Sequence, residues 1–351
     1  MLYSNVKCLR WVSKDNILLD KRIIPVLKDK EVLLKVESCG ICGSDIKIKK
    51  FGNKRVQSGQ IIGHEISGQI VKVNNNSKFK VGDKVSLGAD IPCQKCRICK
   101  LGSPNFCEEN LAIGHEIDGG FSQYMVLNYH TTKYGPIKKF NDIDYDVASL
   151  AEPLACCING FEKVSFNSYK SVLIMGSGPI GLMLAFLANN LGIKQILITD
   201  ISNDRLKILD EFPFINNYAN TSKVDIKDWI KENTNHLGID LIFTANNNIK
   251  SHVDAIELLR KRTVINFFGG LPANHEKIKL NTNQLHYKEC ILTGSHGSTP
   301  KQHAIALDLI SNNQDFFKKI ISKTFSIDKY EEAYKAASDS KSLKVIIKPN
   351  Q

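Results

Sequence analysis

Apolar and polar positions change rhythm partway along the chain. Before about residue 150, short runs rich in Val and Ile are separated by glycine-marked turns. EVLLKVES and ISGQIVKV are two such runs, and KVGDKVSL follows with Gly-Asp at a turn. This pattern predicts strands of a small twisted β-barrel with functional loops. From about residue 155 the pattern changes. SVLIMGSGPIGLMLAFLANNLGIKQILITDIS reads as a buried strand, a Gly-rich turn, a long apolar helix and a second buried strand. IDLIFTAN, HVDAIELLRKR and TVINFFGG continue the alternation, which implies a parallel sheet with crossover helices. The tail, AIALDLISNN through SLKVIIKPN, predicts two amphipathic helical stretches and a final strand that need not belong to the nearer domain.

Composition narrows the class. A chain of 351 residues is long enough for two domains, each with its own core. Apolar content of 42% and charged content of 24% are those of an ordinary globular protein. The net charge of +11 raises the question of an anionic partner, but the lysines are scattered rather than gathered into a stripe or tail. That distribution favours a solvated surface over a nucleic-acid footprint. The opening MLYSNVKCLRWVSKDN has no apolar core of signal-peptide length, and no later stretch is apolar enough to span a membrane. The expectation is a cytoplasmic protein with reduced thiols.

Four cysteines, Cys93, Cys96, Cys99 and Cys107, follow the spacing C-x2-C-x2-C-x7-C. Four thiolates so close in sequence can wrap one metal ion tetrahedrally, and zinc is the usual occupant of such a shell. With all four positions taken by protein, such a site holds a loop in shape and does no chemistry. A disulfide cluster is the competing reading, and the expected reducing compartment disfavours it.

Gly176-Ser177-Gly178-Pro179-Ile180-Gly181 matches G-x-G-x-x-G between the apolar strand SVLIM and a helix, and Asp200 ends the next strand 19 residues after Gly181. This is the context a dinucleotide fingerprint requires. Gly176 permits the tight turn, Gly178 lets the backbone approach a pyrophosphate, and Gly181 lets the helix lie close on the strand. The helix N-terminus offers free N–H groups to phosphates. Asp200 is expected to accept hydrogen bonds from the ribose hydroxyls and to repel a 2′-phosphate, which favours NAD over NADP. Arg205 and Lys207 lie close enough in sequence to keep NADP as the less favoured alternative.

A second set of metal-ligating types is scattered: Cys42 in ESCGICGSDIK, His64 and Glu65 in IIGHEISG, and Glu152 in LAEPLACC. Spacing alone does not bring them together. In order along the chain, however, GICGSD, GHE, VGDKV, the four-cysteine lobe, GGFSQY, AEPLA and GSGPIG form a set. By that set the chain resembles, over essentially its whole length, the zinc-containing medium-chain dehydrogenases, and among them the sorbitol (polyol) dehydrogenase-like branch.

The resemblance implies an α/β plus β architecture. A GroES-like β-barrel catalytic domain would comprise residues 1–153 and 293–351, with a structural-zinc lobe at 90–110. A Rossmann doubly wound parallel-sheet domain over 154–292 would bind NAD. It implies that Cys42, His64 and Glu65 belong to a catalytic zinc site and that Glu152 binds that metal directly or through water, giving two zinc ions per chain. Ser44 would be a proton-relay hydroxyl. Asp45 would orient His64, and Phe268 and Gly269 would lie near the nicotinamide end. Lys47 stands where many relatives carry a relay histidine. Cys39, Cys156 and Cys157 read as packing residues, and Cys8 and Cys290 have no assigned partner.

The activity implied is hydride transfer between NAD(H) and a polyol or related secondary alcohol or ketone, in a homotetramer or homodimer. A sugar-phosphate polyol or L-threonine 3-dehydrogenase-like reaction is the alternative within the enzyme class. A zinc-ribbon nucleic-acid-binding protein would leave the G-x-G-x-x-G turn without a use. A zinc-free reductase or non-catalytic relative would lack both the Cys42, His64-Glu65 set and the four-cysteine lobe, which are present.

Overall fold

The computed structural model describes residues 5–164, 169–272 and 277–351; the first four residues of the opening segment read above for a leader lie outside them. The chain divides into two compact units, Met1–Ala155 with Gly297–Gln351, and Cys156–His296.

The first unit is built on a seven-stranded sheet. Its order is Ile137–Lys139, Lys84–Leu87, Glu65–Val73, Val32–Gly40, Lys344–Lys348 and Ile321–Ser326, with Tyr124–Leu127 also paired to Val32–Gly40. Every pairing is antiparallel except that between Ile321–Ser326 and Lys344–Lys348. Register shifts between Leu33 and Leu34 and between Val36 and Ser38 bend the central pair, the usual way a strand is curved around a core. Buried Val, Ile and Leu from these strands, together with Trp11 and Phe121, fill that core. The last strand, Lys344–Lys348, returns beside Val32–Gly40 and so carries the C-terminal residues to the base of the strand that precedes Cys42. Two short strands, Asp90–Ile91 and Leu111–Ala112, pair across the base of the four-cysteine loop.

The second unit is a six-stranded, all-parallel sheet. Its order is Asn217–Asn220, Gln195–Asp200, Ser171–Met175, Leu241–Thr244, Val264–Phe267, Ile291–Gly294. In order of occurrence this is 3-2-1-4-5-6, the doubly wound arrangement whose strand order reverses beside the first strand. Ser171–Met175 is buried throughout, which is why its sequence is an unbroken apolar run rather than an alternation.

Two sequence expectations need adjustment. The second unit runs to His296 rather than 292, because Ile291–Gly294 completes the edge of the parallel sheet and cannot be cut from it. The tail holds three helices, Pro300–Asn312, Gln314–Ile320 and Tyr330–Ser338, and an added strand, Ile321–Ser326. That strand lies at the sheet edge and is mostly solvent-facing, so it has little of the apolar alternation by which strands are read.

Candidate metal and nucleotide sites

Each of Cys93, Cys96, Cys99 and Cys107 offers a sulfur, and the four sulfurs lie within 4.8 Å of one another. The local backbone is shaped around them. The N–H of Cys93 points at the Cys107 sulfur at 3.2 Å, that of Cys96 at Cys93 at 3.3 Å, and that of Cys99 at Cys96 at 3.5 Å. Backbone N–H groups aimed at sulfur favour the thiolate, and those of Cys99 and Glu108 draw the Cys96 thiol down to about 6. Burial and the neighbouring thiols push Cys99 up to about 12. Thiols packed this closely cannot all ionise unless a cation joins them, so the donor set fits a tetrahedral soft-metal site.

The second cluster is assembled from three elements. Cys42 sits at the N-cap of the helix Gly43–Phe51. His64 immediately precedes the strand Glu65–Val73, and donor atoms of Cys42, His64 and Glu65 lie within 4.8 Å of one another. Asp45 is fully buried and accepts the N–H of Cys42 at 2.9 Å through Oδ2. Its Oδ1 faces His64 Nδ1 at 3.7 Å, and both of these buried atoms lack a hydrogen bond. Asp45 thus stands on the Nδ1 side of the ring, and Nε2, on the other side, lies 3.4 Å from the Ser44 hydroxyl.

The electrostatics are those of a pocket short of positive charge. Burial pulls the His64 imidazole down, but the negative charges of Asp45, Cys42 and Glu152 outweigh it and push it well above the usual histidine value. Glu152, near the start of the helix Ala151–Glu162, is pushed up to about 7 by burial, against the opposing charge of His64. Glu65 and Asp90 add to the rise. A thiolate, an imidazole and carboxylates crowded this way fit a divalent cation. Glu152 lies outside the tight trio. Glu65 is inside it but gives both carboxylate oxygens to Lys344 Nζ, at 2.6 and 2.7 Å, with both side chains buried. That pairing limits what Glu65 can offer a metal.

In the second unit the fingerprint residues occupy the turn after the first strand. Gly176 has φ of +121°, a conformation that a side chain disfavours, and a Cβ on Gly181 would lie 1.9 Å from the Gly176 carbonyl oxygen. Gly178 caps the helix Pro179–Asn190 with Pro179 at its first turn, leaving the helix's leading N–H groups available to phosphate. Asp200 ends the strand Gln195–Asp200. Its Oδ2 accepts from the Ser177 N–H and hydroxyl at 2.8 and 2.9 Å, and its Oδ1 from the N–H groups of Ile201 and Ser202 at 2.7 and 2.9 Å. The carboxylate is therefore fixed across the turn. The Arg205 guanidinium lies 3.7 Å from where a Cβ on Gly178 would stand. Phe268 and Gly269 follow the strand Val264–Phe267, the Phe268 ring lying against Gly160 and the Gly269 N–H donating to the Thr244 carbonyl at 2.8 Å.

Two family descriptions match the chain: an alcohol dehydrogenase GroES-like domain over residues 28–136 and a zinc-binding dehydrogenase over 179–312. A sorbitol dehydrogenase of Halalkalibacterium halodurans is 31% identical over 91% of this chain and 92% of its own. The chain belongs to the zinc-containing medium-chain alcohol dehydrogenase family. A D-arabitol-phosphate dehydrogenase of Enterococcus avium is 30% identical over 93% of the chain and 92% of its own length. Among solved structures, an alcohol dehydrogenase of Escherichia coli CFT073 complexed with NADH superposes with a TM-score of 0.87 at 25% identity, covering 98% of this chain and 99% of that one. The chain is thus a zinc-dependent oxidoreductase of secondary alcohols, with a GroES-like domain and a Rossmann domain. No helix among its described residues is long and apolar enough to cross a membrane.

Two residues of this dehydrogenase escaped the sequence reading. Lys344 lies in the C-terminal strand, 279 positions from its partner Glu65, and nothing local in SLKVIIKPN sets it apart from a solvent-facing lysine. His115 stands beside His64, with ring centroids 6.1 Å apart and planes tilted by 48°. A repeated tripeptide was the available signal, since Gly-His-Glu occurs at 63–65 and again at 114–116.

Proposed function

We propose that this chain is an NAD-dependent polyol dehydrogenase that interconverts a secondary alcohol and its ketone. In this reading Cys42, His64 and Glu152 hold a catalytic zinc, with Glu65 kept at its flank by Lys344. Cys93, Cys96, Cys99 and Cys107 hold a second, structural zinc. The observation that carries the reading is the convergence of Cys42 and His64, far apart in sequence, on one buried cluster within 4.8 Å beside Glu152. When bound, zinc would supply Lewis acidity toward a hydroxyl or carbonyl oxygen, and the nicotinamide would carry the hydride.

The chain's own residues do the rest. Asp45 holds the Cys42 backbone and faces His64 Nδ1, so it orients both proposed ligands. The Ser44 hydroxyl, 3.4 Å from His64 Nε2, is placed to take a proton from the reacting alcohol and pass it on. The helix that begins at Pro179 binds the pyrophosphate through its N–H groups. Asp200 accepts from the ribose hydroxyls, and its charge disfavours NADP. Arg205, beside Gly178, contributes to the same cofactor end, and Phe268 and Gly269 to the nicotinamide end. Family resemblance supports a cytoplasmic setting and a homodimer or homotetramer.

The similarity to a D-arabitol-phosphate dehydrogenase favours a second reading, in which the polyol carries a phosphate. A screen of polyols, their phosphates and threonine with NAD and NADP, followed by cofactor absorbance and paired with metal analysis, tests both. Two zinc ions per chain and polyol oxidation with NAD are expected. Activity on no polyol or polyol phosphate would overturn the reading.

A further inference from the structure

The two Gly-His-Glu tripeptides meet in space. A Cβ on Gly114, whose φ is +78°, would stand 3.0 Å from the Gly63 carbonyl oxygen and 3.1 Å from the Gly63 nitrogen, so the two backbones touch. Next to this contact the His115 ring lies against His64. The third positions diverge: Glu65 turns to Lys344, and Glu116 turns to Arg55, with Arg55 Nε and Nη2 donating at 2.6 and 2.9 Å.

The loop bearing His115 is rigid. Glu116 also accepts the Ala112 N–H at 2.9 Å, the His115 N–H donates to the Ala112 carbonyl at 3.1 Å, and the Gly114 N–H to the Ile117 carbonyl at 2.7 Å. The ring so fixed is partly exposed, and its Nδ1 is buried with no hydrogen-bond partner. That nitrogen faces inward near the Ile113 backbone, so what the firmly held ring offers a ligand is its exposed edge, beside a proposed metal ligand.

We propose that His115 is a specificity-determining residue: its imidazole hydrogen-bonds the hydroxyl on the carbon next to the one oxidised, while the reacting hydroxyl lies on the His64 side. Two imidazoles this close can address oxygens on adjacent carbons of one substrate. The chemistry selected is a vicinal diol, as found in any polyol, over a simple secondary alcohol. The inference rests on the polyol reading above.

The test compares 2,3-butanediol with 2-butanol, which differ by the neighbouring hydroxyl, on the zinc-loaded enzyme with NAD. The readout is the ratio of kcat/KM for the diol to that for the mono-ol. In His115→Phe the ratio is expected to fall by about tenfold, the size of one hydrogen bond to an uncharged group, with the loss in the KM of the diol. His115→Ala removes the same bond with less bulk and serves if the Phe variant does not fold. A fall of roughly threefold or more in the soluble variant supports the assignment, and a smaller one overturns it. A wild-type enzyme that turns over both alcohols equally well also overturns it and leaves the polyol reading standing. If neither alcohol nor any polyol is oxidised, the polyol reading fails and the role of His115 falls with it.

Discussion

Replacing Lys344 with methionine isolates what the buried ion pair does for the catalytic cluster. The Lys344 ammonium lies 2.6 and 2.7 Å from the two Glu65 oxygens and 3.3 Å from the Ile41 carbonyl, so it ties the residue after His64 to the residue before Cys42. At an effective dielectric of about 20, unit charges roughly 3 Å apart attract by about 5–6 kcal/mol. Taking each ion out of water costs several kcal/mol, so the intact pair nets little stability against an apolar one. Removing one partner is different. Lys344→Met leaves Glu65 buried and unpaired and is expected to cost about 3–5 kcal/mol. Glu65→Gln, which strands the ammonium, should cost a similar amount, whereas the double variant should recover at least ~2 kcal/mol of the summed losses. Denaturant unfolding of the zinc-loaded wild type and three variants reads the cycle, repeated with chelator to separate fold from metal. A Lys344→Met loss below ~1 kcal/mol, or strictly additive variants, would refute the argument that the pair is a tether whose value lies in being complete.

The other expectations are narrower. Cys42→Ser should lose one of two zinc ions per chain and nearly all activity, while Cys99→Ser should lose the other ion and melt the 93–107 loop, read by metal analysis and limited proteolysis. Asp200→Ala should weaken NAD binding and narrow the preference over NADP by tenfold or more, about 1.4 kcal/mol, in a titration of each cofactor. His303 is fully buried, its Nε2 3.3 Å from the Ser86 hydroxyl, and burial lowers it to about 4, with the charge of Lys138 adding to the drop. Its folded value lies below its unfolded one, so the unfolded chain takes up the proton first. Stability from this residue is present above about pH 6.5 and is lost as pH falls toward 4, by up to about 3 kcal/mol. In His303→Gln the acid limb of a stability–pH curve should flatten by that amount relative to wild type, and an unchanged limb would sink the assignment.

What could be read from the chain follows from which interactions are local. The phosphate turn is legible because its causes sit within thirty residues: an apolar strand, the glycines that a φ of +121° and a 1.9 Å approach demand, and Asp200 closing on Ser177. The four-cysteine loop is legible for the same reason, its N–H···S bonds joining near neighbours. The second cluster is not local. Cys42 and the His64-Glu65 pair come together only because the fold of the first unit brings their helix and strand side by side, and no spacing encodes that. Only the ordered set of family motifs raised it. Lys344 lies further from reach, since its burial depends on the last strand returning beside Val32–Gly40, a pairing set by tertiary fit rather than by any feature of SLKVIIKPN.

The two Gly-His-Glu tripeptides make the same point at the smallest scale. Identical residues at 63–65 and 114–116 have different fates because of what each loop meets. His64 lies over the Cys42 helix terminus, with Asp45 behind it, and gains the charge partners that suit a ligand. His115 meets His64 itself, and burial together with that neighbouring ring lowers it below the usual histidine value. Glu65 is sealed inside and needs Lys344, whereas Glu116 is at the surface and is satisfied by Arg55. The proposed metal ligand and the proposed substrate contact thus come from one tripeptide, the difference being carried by neighbours that come from elsewhere in the chain.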